Sequence, residues 1–150
     1  METKVVRVEN EEQLRRSLAV RREVFIEEQQ VPAELEVDDY DTVGSRAHHV
    51  LIEQGGENVA AGRLIPYREG AAKFQRIAVR AAFRGRGFGR VVVTALEDAA
   101  REAGFRRAVL DSQCHAEAFY AGLGYVTAPG EPFYDAGILH VRMEKELRPL

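Results

Sequence analysis

Six consecutive residues, Arg84-Gly85-Arg86-Gly87-Phe88-Gly89, combine the properties an anion-binding loop needs. Glycines let the backbone approach a ligand closely and take dihedrals that other residues resist. The stretch falls between a strand-like and a helical segment, and a helix N-terminus offers unpaired N–H groups with partial positive charge. With arginines around it, such a loop suits a pyrophosphate; a tight turn without a ligand is the plainer alternative. No Lys-Ser or Lys-Thr follows the last glycine, so the P-loop pattern is absent. Arg90 stands where a dinucleotide fingerprint has its third glycine. Four histidines and the single Cys114 show no metal-ligand spacing, so no metal is expected.

Charge is segregated along the chain. Eight acids (Glu23, Glu27, Glu28, Glu34, Glu36, Asp38, Asp39 and Asp41) lie between Glu23 and Ser45 without one Lys or Arg. Between Gly70 and Leu96 the reverse holds, with Lys73, Arg76, Arg80, Arg84, Arg86 and Arg90 and no acid. Either block alone reads equally well as a solvated face. Together they suggest one polyanionic and one cationic ligand, because local fields concentrate opposite charge. The net charge of −3 argues against nucleic acid, whose long phosphate backbone the rest of the surface would repel.

These residues need a scaffold. The 150 residues, 45% hydrophobic and 30% charged, predict one domain over 1–150 with a single core. No apolar run approaches the roughly 20 residues of a membrane helix, and the amino terminus lacks the apolar core of a signal peptide. One cysteine fits a reducing compartment, and a cytoplasmic location is expected. Alternation predicts an edge strand over Lys4–Val8, a hairpin of His48–Glu53 and Asn58–Tyr67 turning at Gly55-Gly56, and a strand over Ala72–Val79. In that last strand Phe74, Arg76 and Ala78 would share one face and Gln75, Ile77 and Val79 the other. Asn10 as N-cap, with Gln13 three residues on, starts a helix running to about Phe25. Val31-Pro32 ends the pattern, and the acidic stretch after it reads as a loop with one short helical turn. A second helix runs from Phe88 to Gly104 and a third over Ala116–Leu123, each closed by a glycine. Strands over Arg107–Asp111, Tyr125–Thr127 and Ile138–Glu144 complete the reading, the last two separated by a loop with Pro129 and Pro132.

The glycine loop resembles the pyrophosphate motif Gln/Arg-x-x-Gly-x-Gly/Ala of the GNAT superfamily of N-acetyltransferases. A second GNAT motif, Asn-x-x-Ala-x-x-Phe-Tyr-x-x-x-Gly-Phe, is similar to the run with Ala116, Phe119, Tyr120, Gly124 and Tyr125, with Gln113 at the Asn position. Val24-Phe25-Ile26-Glu27-Glu28-Gln29, Val31-Pro32 and Gly137-Ile138-Leu139-His140 resemble the ElaA-like branch.

The resemblance implies an α/β (α+β) fold: a mixed, mostly antiparallel sheet with splayed central strands flanked by helices. It implies acetyl-CoA as co-substrate, held by main-chain groups of Ile77, Ala78 and Val79, by Arg84, Gly85, Arg86, Gly87, Phe88, Gly89 and Arg90, and by Gln113, Phe119 and Tyr120. Tyr120 would protonate the departing thiolate; without the motif, a tyrosine packed under the sheet is the commoner role. An amine with a reference pKa near 10.4 must lose a proton before attack, and Glu27, Glu28 and His140 are the candidate bases. The implied partners are acetyl-CoA and an amine acceptor, cationic by the charge argument, with no nucleic acid, no membrane and a homodimer allowed for. A non-catalytic acyl-CoA-binding module and a protein-interaction domain stay open as alternatives.

Overall fold

The computed structural model describes residues 2–149. Among these, eight strands form one sheet: β1 (Thr3–Arg7), β2 (His48–Gln54), β3 (Glu57–Pro66), β4 (Ala71–Val79), β5 (Arg107–Gln113), β6 (Val126–Thr127), β7 (Phe133–Asp135) and β8 (Ile138–Glu146). The order is β1-β2-β3-β4-β5-β8-β6, with β7 also paired to β8. β4 and β5 run parallel and all other neighbours antiparallel. The helices are α1 (Glu11–Arg21), α2 (Ala33–Glu36), α3 (Phe88–Glu102) and α4 (Glu117–Gly122). The mixed, mostly antiparallel sheet flanked by helices is the expected architecture.

Helix α3 buries Val92, Val93, Leu96, Ala99 and Ala100 against one face of the sheet, each such Val or Leu worth about 1.5–3 kcal/mol. Gly62 in β3 makes this approach close: a Cβ there would lie 2.7 Å from Val92 Cγ1. On the opposite face Val20 of α1 and Val24 pack against Leu51, Ala61 and Ala78. Asn10 caps α1 as expected, its side chain accepting from the Gln13 N–H at 2.9 Å.

Three local expectations are corrected. The first helix does not run to Phe25 as a regular α-helix. It widens at Arg22–Glu28 into a π turn, in which the Gln29 N–H bonds to the Val24 carbonyl at 3.1 Å. The second correction concerns β4, which carries a β-bulge. Ala61 pairs with Ala78 and Arg63 with Gln75, leaving Arg76 and Ile77 together opposite Gly62. Alternation therefore slips by one residue. Phe74 and Ile77 pack on the α3 side, whereas Ala78 joins the α1 side. Third, the proline loop before β8 contains β7, which closes a hairpin through Ala136 (φ +51°) and Gly137 (φ +79°). An alanine at the first turn position hides that hairpin, since the Asn, Asp or Gly that usually marks it is missing.

Candidate active site

The parallel strands β4 and β5 pair only from Ala71↔Arg107 to Phe74↔Leu110 and then part. The bulge begins two residues later, so the main chain of Ile77, Ala78 and Val79 borders a wedge beside β5. Between them opens a cavity of about 710 Å³. Its walls include Val24, Phe25, Glu28 and Gln29 of the π turn, together with Ile77, Tyr120 and His140.

The glycine loop meets this cavity from the side of α3. A 3-10 turn (Ala81–Phe83) leads into Arg84, then Gly85 (φ +77°) and Gly87 (φ +86°), the residue preceding α3. Both glycines hold left-handed backbone that a side chain resists. No side chain caps α3, so its first N–H groups are free for a ligand. Gly89 admits α4, because a Cβ there would lie 3.0 Å from Phe119 Cζ. Arg84, Gly89, Gln113, Phe119 and Tyr120 line the cavity; Gly85, Arg86, Gly87 and Arg90 sit on the exposed approach to it. The Phe88 ring is corrected out of the site. It is buried in the core 6.3 Å from the Phe83 ring, so only its backbone is available to a ligand at the loop.

Tyr120 lies on α4 between the rings of Phe119 (5.0 Å) and Tyr125 (6.0 Å) and is 9% exposed. Burial pushes its phenol up to about 12, so it stays protonated at neutral pH. Gln113 Nε2 donates to Gln29 Oε1 at 3.0 Å, linking β5 to the π turn across the cleft. Sequence reasoning gave Gln29 no role; its only signal was the Glu-Glu-Gln run.

The candidate bases separate. Glu27 is not in the cleft. Its side chain is 61% exposed and lies 3.5 Å from Arg22, because the π turn directs Phe25, Glu28 and Gln29 inward instead. Glu28 lines the cavity, yet both its oxygens accept from Arg84 at 2.6 and 2.7 Å. The hydrogen bonds from Arg84 lower its pKa, against a smaller opposing effect of burial, which weakens it as a base. His140 also lines the cavity. Its Nδ1 lies 2.6 Å from the Ile138 carbonyl, and the ring stacks on Phe133 at 6.1 Å. A carbonyl only accepts, so Nδ1 carries a proton, and in the neutral form of the ring the lone pair lies on Nε2.

The acidic and basic blocks largely neutralise each other. Glu23 pairs with Arg80, Glu28 with Arg84 and Glu36 with Arg76. Within the buried layer Arg21 holds Glu36 (2.8 Å) and Asp41 (2.7 Å), and Arg63 holds Asp38 (2.7 Å) and Asp41 (2.8 Å). The charge argument for a cationic acceptor therefore loses its basis. Arg86 and Arg90 make no ion pair among the described residues, and both flank the glycine loop.

A model of the acetyltransferase (GNAT) domain matches residues 5–147, and the chain belongs to this family. It is 38% identical over 143 residues to the uncharacterized N-acetyltransferase YjcF of Bacillus subtilis, covering 95% of this chain and 99% of that one. Among solved structures, an acyl-CoA N-acyltransferase from Pseudomonas aeruginosa superposes with a TM-score of 0.83 at 28% identity, over 96% of this chain and 99% of that one. Escherichia coli ElaA shares the fold, with a TM-score of 0.81 at 24% identity over 97% and 99% of the two chains. The protein is a GNAT acyltransferase that takes its acyl group from a CoA thioester.

Proposed function

We propose that the protein, as one catalytic domain, acetylates a primary amine by direct attack on acetyl-CoA within a ternary complex. The observation that carries this reading is the meeting, at one cavity, of the splayed β4/β5 pair, the uncapped start of α3 and Tyr120. Free N–H groups of Gly85 to Arg90 would take the pyrophosphate, with Arg86 and Arg90 adding charge. Main-chain groups of Ile77, Ala78 and Val79 would take the pantetheine arm. The Val79 carbonyl already accepts from Arg84 Nε at 2.9 Å and Ala78 is paired with Ala61 of β3, which leaves the Val79 N–H and the groups of Ile77 as the readiest partners. One N–H there, facing the thioester oxygen, would stabilise the oxyanion as the amine attacks. The C–S bond then breaks and the Tyr120 hydroxyl protonates the thiolate.

His140 is the base this reading favours, because Nε2 has the free lone pair and the ring lines the cavity. Glu28 serves better as an anchor for Arg84. Gln113 takes the position of the family asparagine and would meet the pantetheine arm beside Gln29. The cytoplasmic setting belongs to the same reading; among the described residues no helix is long and apolar enough to cross a membrane. The test is release of free CoA thiol from acetyl-CoA in the presence of amines and peptides. Amine-dependent release supports the reading, and acetyl-CoA binding without release contradicts it.

A further inference from the structure

We propose that the end of the cleft farthest from the glycine loop binds a carboxylate of the acceptor, so that the acceptor carries an amine at one end and an anion at the other. The proposal rests on the acyltransferase reading above and extends it to the substrate's shape.

The cations there outnumber the carboxylates. Lys73 (β4), Arg142 (β8) and Arg68, in the turn between β3 and β4, surround the Tyr67 ring at 5.2, 5.1 and 5.2 Å. One carboxylate serves them: Asp111 accepts from Arg142 Nε at 2.8 Å and lies 3.2 Å from Lys73 Nζ. Burial works to raise the Asp111 pKa, but Arg142 and Lys73 outweigh it, and the group stays ionised. Glu69 follows Arg68 in the turn and pairs with none of the three cations. The cluster thus carries formal charges of three cations against one anion. The phenol reports the same field: hydrogen bonding from Arg142 draws Tyr67 below its ordinary value, with Arg68 adding to the effect.

Donors remain for a ligand. Lys73 has further N–H groups beyond its contact with Asp111, and Arg68 makes no ion pair among the described residues. Tyr67 accepts from Arg142 through its oxygen, which leaves its own proton to give. The cluster also continues the active site, since Lys73 and Asp111 line the same cavity as Tyr120 and His140. Helix α1 covers β2, β3 and β4 on this face, and β5 and β8 lie beyond it. From Ala78 back to Lys73 the strand runs five residues with the bulge among them. At about 3.3 Å per residue, and with the bulge shortening the path, roughly 13 Å separate the reacting thioester from the cations. An extended peptide of about three or four residues spans that distance.

The experiment uses the full-length protein with acetyl-CoA and follows thiol release. The acceptors are diglycine to hexaglycine, the C-terminal amide of each, and aliphatic ω-amino acids of matching lengths with their amides. Tri- and tetraglycine should exceed their amides by about tenfold in kcat/KM, chiefly through KM, as expected when a charge-assisted contact is lost. In Lys73→Met this preference should collapse to within about twofold while acetyl-CoA affinity holds. If the carboxylate preference appears only in the ω-amino acids, the site stands with a non-peptide acceptor. Equal rates for acids and amides throughout would overturn the proposal while leaving acyl transfer intact. Absence of release from every amine would overturn both. Should Lys73→Met fail to fold, the comparison of acids with amides on the unaltered protein still decides.

Discussion

Nε of Arg76 lies 3.1 Å from Glu36 Oε2, joining a strained residue of the bulge to the acidic segment across the cleft. Arg76 has φ +57°, a left-handed conformation that a long side chain adopts only under constraint. Its guanidinium supplies the constraint, with further bonds to the Glu36 and Leu35 carbonyls at 3.0 and 3.1 Å. Burial lowers its pKa first, and repulsion from Arg63 and Arg21 adds to that. The bulge it holds fixes where Ile77 and Ala78 point their main chain.

Arg76→Gly should therefore keep the fold, since glycine takes this backbone without strain. It should still lower kcat by about tenfold through loss of positioning, with acetyl-CoA affinity changed by less than about threefold. Steady-state kinetics and calorimetry check it, and an unchanged kcat would remove Arg76 from any positioning role.

Gly87→Glu should abolish acetyl-CoA binding. No atom lies within 4 Å of the site of its Cβ, so the side chain has room, at a backbone cost of about 1–2 kcal/mol for φ +86°. The carboxylate would sit where the pyrophosphate is proposed and repel it. Calorimetry on a folded variant decides; undiminished affinity places the cofactor elsewhere.

Tyr120→Phe should lower kcat by roughly tenfold to ten-thousandfold with little change in acetyl-CoA affinity. Because burial holds the phenol near 12, its acid form persists through alkaline pH. The wild-type rate should show no loss near pH 10 of the kind an ordinary tyrosine would give. A fall in kcat centred near 10, absent in the Phe variant, would mean that Tyr120 meets solvent more freely than its packing indicates.

Asp41 should set part of the acid limit of stability. Burial works to raise its pKa, but Arg21 and Arg63 outweigh it and hold it well below the usual carboxylate range. A depressed folded pKa gives stability that is present above about pH 4 and lost as pH falls toward the folded value. Asp41→Asn should thus lower Tm by a constant amount above about pH 5 and by progressively less as the pH falls below about 4. A pH-independent difference would mean the pair contributes only packing.

The sequence carried much of this site, and the reasons are local. Arg84 to Gly89 are contiguous, so the loop could be read from spacing alone, and the helix period after Phe88 fixed its place. Tyr120 was legible through a motif confined to one helix and its flanks. The bulge at Arg76 was not legible, because Ala72–Val79 alternates well enough for a plain strand, and the strain depends on Glu36 forty residues away. Glu27 and Glu28 could not be told apart, since the π turn that sends one outward and the other inward follows from tertiary packing. The charge blocks misled for a related reason: segregation along the chain became pairing across the cleft.

The central claim is tested most directly by thiol release on mixing the protein, acetyl-CoA and a panel of primary amines, with Gly87→Glu as the control. The account predicts release that requires an amine, saturates in both substrates, yields an N-acetyl product by mass, and vanishes in the control. Tight acetyl-CoA binding with no acetylated product from any amine would contradict it and leave a module that binds the thioester without using it.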